Sequence, residues 1–222
     1  MTAHPDSTHV PPRVWHAVTS DLRPVRRLRP PASRALLVAP LALALLVAAP
    51  MTFSWRLDLV RLGWALTWGA SIAQVIVGLG LVALALREAV PGRGLSAATS
   101  GTAFVGAGTM LVVVTLLAAT SGDVFRPGDP WRIGGICFGG SFASGVPVVL
   151  VAAWLARRAF PLRPAMVGAL YGLGAGLMAD AGWRLFCEFS GPAHVFPFHL
   201  GAIAANTLCG VLSALLLTRR RN

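Results

Sequence analysis

Few residues in this chain could do chemistry, and most of them fall in its second half. Three cysteines occur, Cys137, Cys187 and Cys209. Two thiols that meet can be oxidised to a disulfide in an oxidising compartment. As thiolates they can instead hold a soft metal ion, with His194 or His199 as further ligands. The spacing contains no Cys-x-x-Cys, the signature of many zinc and dithiol sites, and two unrelated buried cysteines fit it at least as well. Asp180 and Arg184 are four residues apart and can pair on one helical face. An Asp in an apolar stretch is costly and marks a functional site by default; the alternative is a structural pair near an interface. Glu188 would raise the pKa of the adjacent Cys187 thiol, whereas Arg184 would lower it. Cys209 sits among apolar neighbours and should behave as a small hydrophobe. No nucleophile–base pair suggests hydrolysis. A chain without Lys has no phosphate-binding Walker lysine. We therefore expect a protein that is not an enzyme and requires no cofactor, with a soft or heavy metal ion at Cys137 and Cys187 the one candidate ligand.

The elements that must position these groups follow from composition. Of 222 residues, 55% are hydrophobic and 12% charged, about half the charged share of a soluble domain. No Asp, Glu, Lys, Arg or His lies between Arg34 and Arg56, Arg61 and Arg87, Arg93 and Asp123, or Arg132 and Arg157. Each gap accommodates the ~20 residues that cross a bilayer as a helix. A fifth apolar stretch runs from Pro164 towards Arg184, interrupted by Asp180, and a sixth from Phe196 to Thr218. The runs are continuous rather than alternating, which argues for helices over a β-barrel. The predicted fold is all-α, a polytopic membrane protein of six transmembrane helices, at residues 35–54, 63–86, 97–120, 133–156, 164–187 and 197–218. Residues 1–34 form an N-terminal segment and 219–222 a basic tail. With the N-terminus inside, fourteen arginines lie on the inner side and five, including Arg56, Arg61 and Arg184, on the outer. The positive-inside rule then places both termini in the cytoplasm. The net charge of +11 reads as helix-flanking Arg facing anionic lipid, with no direct nucleic-acid partner. The first span is expected to be retained rather than cleaved as a signal peptide, because its basic preface is long and Pro-rich.

On this topology Cys137 and Cys187 both lie near the outer face. Gly168, Gly172 and Gly176 recur at intervals of four, as do Gly135 and Gly139, and small residues at that interval predict closely packed helix faces. Pro147 should kink the fourth span. In the N-terminal segment Val14, Val18 and Leu22 recur every four residues with Trp15 alongside, which predicts a short amphipathic helix. The exposed Trp suits either a partner protein or the lipid headgroup layer.

The segment Ser20-Asp21-Leu22-Arg23-Pro24-Val25-Arg26-Arg27-Leu28-Arg29-Pro30-Pro31, followed by Arg34 and the first span, resembles the opening of the NrsF family of bacterial six-helix membrane anti-sigma factors. Trp131-Arg132 with Cys137, Pro147, Leu162-Arg163-Pro164 with Gly168, Gly176, Cys187 and His199 extend the resemblance over residues 18 to 218. It implies a protein of the bacterial inner (cytoplasmic) membrane that sequesters an extracytoplasmic-function sigma factor. Heavy-metal or oxidative stress, sensed by Cys137 and Cys187, would release it, with Asp180, Arg184 and His199 as supporting residues. The exposed N-terminal segment, with Trp15, Val18, Leu22, Arg26 and Arg27, is the candidate sigma-binding element. Where the family often has His-Cys and Trp-His, this chain has Phe186-Cys187 and Phe198-His199, which takes one imidazole from a His-assisted metal site. Two rival readings are a membrane thiol oxidoreductase, which would need a second cysteine pair, and a small transporter. The transporter would need a polar path, and Asp180, Gln74 and Asn206 do not suggest one.

Overall fold

Proline starts most of the helices. In a computed structural model that describes residues 11–20, 28–53, 55–121 and 130–219, α1 (Pro12–Ser20), α5 (Pro130–Ala156) and α6 (Pro164–Arg184) each begin on a Pro. So do α2 (Pro31–Thr52) and α7 (Pro192–Arg219). At the first helical position the missing N–H has no intrahelical partner to lose, and the ring presets φ. The exceptions are α3 (Leu59–Glu88) and α4 (Ala97–Ala119). Helix α4 starts instead from Ser96, whose hydroxyl accepts the Thr99 N–H at 3.1 Å and so caps the helix. Among the described residues there is no strand.

Among the described residues, helices α2 to α7 are the six that are long and apolar enough to cross a membrane. Their outward faces carry exposed Leu43, Val60, Val105, Leu116, Leu150 and Leu212, apolar area on a scale that a water-exposed monomer does not show.

Helix α6 is the centre of the bundle, because its glycines admit neighbouring backbones. A Cβ on Gly168 would stand 2.5 Å from the Gly210 carbonyl oxygen, and one on Gly172 2.6 Å from that of Asn206, both on α7. On the opposite face Gly174 meets the Gly78 carbonyl of α3 at 2.6 Å in the same sense, and Gly182 meets Leu45 of α2. The predicted Gly168–Gly172–Gly176 face is thus the α6–α7 seam. The other predicted glycine face is corrected. A Cβ on Gly135 or Gly139 would meet nothing within 4 Å. The close glycines of α5 are Gly134, against the Phe198 ring, Gly140, against Trp183, and Gly145, against Asn206. A spacing of four puts residues on one face but does not say whether that face points inward.

The end of the bundle that bears the termini is tied by an ion pair and by arginine hydrogen bonds to carbonyls. Arg163 Nε lies 2.7 Å from Glu88 Oε1, and Arg163 also donates to the Leu95 carbonyl at 2.8 Å. Buried Arg34 donates to the Leu155 carbonyl. The opposite end holds the thiols.

Candidate functional site

Cys137 lies in the second turn of α5, and Cys187 just past the end of α6. Gly140 has no side chain to exclude the Trp183 ring, whose Nε1 donates to Ser144 Oγ at 3.1 Å. This close approach of α5 and α6 brings the next residues outward together. The sulfur atoms of Cys137 and Cys187 are 3.5 Å apart, unbonded and buried. The Cys187 N–H still donates to the Trp183 carbonyl at 2.8 Å, so the thiol is held by a last helical turn.

Two imidazoles complete the cluster. His194 Nε2 is 3.3 Å from Cys187 Sγ, and the ligand atoms of Cys137, Cys187, His194 and His199 all lie within 4.8 Å of one another. In a regular α-helix His194 and His199, five residues apart, would point about 140° apart. Here Val195–Leu200 is a π-turn, whose i→i+5 bonding brings residue i+5 to roughly where i+4 would stand. Pro197 within it cannot donate to the ladder, which favours the wide turn. The two rings end 5.4 Å apart.

Asp180, fully buried, fixes one of these rings. Its Oδ1 is 2.6 Å from His199 Nδ1, while its Oδ2 accepts from Arg184 Nε at 2.7 Å and from Gln74 Nε2 at 2.8 Å. An ionised carboxylate only accepts, so it takes the Nδ1–H and leaves Nε2 of neutral His199 as the lone-pair nitrogen. That Nε2 is buried and has no hydrogen-bond partner among the described residues. Arg184 also donates to Thr115 Oγ1 at 3.3 Å. Helices α3, α4, α6 and α7 therefore meet at one carboxylate and its arginine.

A loop seals the cluster from the side. Buried Arg56 donates to both Asp58 oxygens at 2.6 and 2.9 Å, to Ser190 Oγ at 2.9 Å and to the Arg184 carbonyl at 3.0 Å. The Leu57 N–H donates to Glu188 Oε1 at 2.9 Å. Next to the sulfurs lies a cavity of about 160 Å³ lined by Ile133, Ile136, Cys137, Phe186, Cys187, Glu188 and Phe189. Neither Arg184 nor Glu188 sets the character of Cys187. The hydrogen bond from the Cys137 thiol, followed by that from His194, holds its pKa well below the ordinary thiol range.

The candidate residues Cys137, Cys187, Asp180, Arg184 and His199 thus converge. Trp15 is exposed on α1, remote in sequence from this cluster. Val18 falls within α1, while Leu22, Arg26 and Arg27 lie outside the described residues. Sequence reasoning missed Arg56, Thr115 and the Gln74–Asp180 contact, which join residues up to 134 positions apart. Asn206 is elsewhere, its amide donating to the Ala202 carbonyl at 3.1 Å.

The fold and site define a class: a six-helix bundle with membrane-spanning character, carrying a buried thiol–imidazole cluster at the end opposite its termini. Residues 18–219 match the NrsF family, negative regulator of sigma F, and the chain belongs to that family. Comparison with curated proteins and with solved structures gave no match.

Proposed function

We propose that the chain is an anti-sigma factor of the bacterial inner membrane. It holds an extracytoplasmic-function sigma factor at the cytoplasmic face and releases it when Cys137 and Cys187 encounter heavy-metal or oxidative stress. Family membership supports negative regulation of a sigma factor. The observation that carries the sensing half is the 3.5 Å separation of two buried sulfurs from different helices, at the end of the bundle remote from the termini. No enzymatic step is needed, and the lipid bilayer is the second partner.

The mechanism is a two-state one. Oxidation or ligation at the thiols favours one packing of α5 against α6, and that packing must bind sigma differently, or no signal passes. A hundredfold weakening needs about 2.7 kcal/mol of coupling, within what a disulfide or a thiolate–metal site supplies. The exposed Val14 and Trp15 on α1 are the proposed sigma contact.

The test is a sigma-dependent reporter in cells that carry Cys137→Ser with Cys187→Ser. We expect repression to persist and stress induction to be lost. Normal induction in the double variant rejects the sensing assignment.

A further inference from the structure

We infer that Cys137, Cys187, His194 and His199 form one four-ligand site for a thiophilic divalent cation of the zinc class, Zn²⁺ or Cd²⁺, with Asp180 as its positioning residue. The inference concerns the same thiols that the proposed function uses as input, and it adds the two imidazoles, the coordination number and the ion class.

Four observations carry it. The first is distance. Bonds of ~2.3 Å to sulfur and ~2.0–2.1 Å to nitrogen in a tetrahedron place donor atoms about 3.3–3.8 Å apart. The sulfurs are 3.5 Å apart and Cys187 Sγ is 3.3 Å from His194 Nε2, with all four donors inside 4.8 Å. The second is the orphan nitrogen. His199 is 1% exposed and its Nε2 has no hydrogen-bond partner among the described residues. Such a group costs ~1–3 kcal/mol if it has no function. A cation bound by the other three donors would use it. The third is the Asp180–His199 bond. A carboxylate on the far ring nitrogen of a metal-ligating His fixes the tautomer and the ring direction. The fourth is access. Cys137 and Cys187 both line the 160 Å³ cavity, space beside the thiols that a closely packed hydrophobic core would not leave.

Charge supports the same assignment. A buried cluster tolerates ions only when they are balanced. In the bound site Cys137 and Cys187 are both thiolates, the proton of the Cys137 thiol having gone to solvent. The two thiolates then neutralise the divalent cation, the imidazoles stay neutral, and Asp180 stays paired with Arg184 at 2.7 Å. Two sulfurs and two nitrogens in a tetrahedron suit zinc and cadmium rather than oxygen-seeking magnesium or calcium.

The experiment uses the full chain, purified in detergent, stripped with chelator under reducing conditions and titrated with Co²⁺ as the probe, followed by Zn²⁺. The expected result is one equivalent bound, with the visible bands of tetrahedral cobalt and a thiolate charge-transfer band, both abolished by stoichiometric zinc. Cys137→Ser with Cys187→Ser should remove the charge-transfer band, and His199→Ala the tetrahedral bands, at unchanged helical circular dichroism. If His199→Ala does not fold, His194→Ala, which leaves the Asp180 bonds intact, carries the same test. Asp180→Asn should weaken binding about 10–100-fold while keeping the tetrahedral spectrum at saturation. No stoichiometric cobalt, or full tetrahedral intensity in both His variants, overturns the inference. Neither outcome touches the proposed function, which falls only if the double Cys variant still responds to stress.

Discussion

The same two helices, α6 and α7, meet in two different ways at their two ends. Near the termini their contact is a backbone seam. Gly168 faces Gly210, and the Tyr171 hydroxyl donates to the Gly210 carbonyl at 2.9 Å beside Ser213. At the other end, Asp180 and His199 hold the helices through side chains, next to a cavity and an unpartnered nitrogen. A seam of backbone contacts has one arrangement, because moving it opens voids that close packing penalises. A polar cluster can change partners. The difference assigns rigidity to one end and responsiveness to the other.

The largest expected effect breaks the responsive end. Asp180→Ala leaves Arg184 as an unpaired buried charge and should destabilise the bundle by about 3–5 kcal/mol. Thermal unfolding in detergent would show this as a large drop in Tm, with Asp180→Asn losing clearly less. Next comes the rigid end. Gly168→Ala drives a methyl into the Gly210 backbone and should cost about 1–3 kcal/mol. Gly139→Ala, facing open space, should stay within about 0.5 kcal/mol. Equal melting of the two glycine variants would erase the distinction between inward and outward faces. The smallest effect sharpens the seam. Tyr171→Phe removes the hydroxyl's two hydrogen bonds, to the Gly210 carbonyl and Ser213 Oγ, and should cost about 1–2 kcal/mol, with the Co²⁺ affinity of the thiol end unaltered.

The six helices were legible because ionisable residues are excluded from long stretches. Their ends were less so. Arg61, read as an outer-loop residue, lies in the first turn of α3, 3.5 Å from Asp58, since an Arg near a helix end can turn back to an acidic partner without leaving the helix. The Asp180–Arg184 pair was legible because local spacing sets it. The approach of His194 to His199 was not, since α-helical periodicity separates them and only the π-turn around Pro197 reunites them. The family pattern implied one imidazole fewer at Phe186, and His194 supplies a second ring from the next segment. The Gln74–Asp180 bond was hidden for a simpler reason: 106 residues separate the partners, and no periodicity spans that distance.

The Arg56 clasp has a mechanical consequence. The short connection after α2 is bolted to residues 184–190, the strip of chain that carries Cys187. Helix α2 is a rod of 22 residues, roughly 33 Å long, and Arg34 near its far tip is latched to the Leu155 carbonyl. A lever fastened at both tips cannot slide at one without tilting at the other. The strip that bears Cys187 and the stem that leads to the N-terminal arm are therefore parts of one linkage.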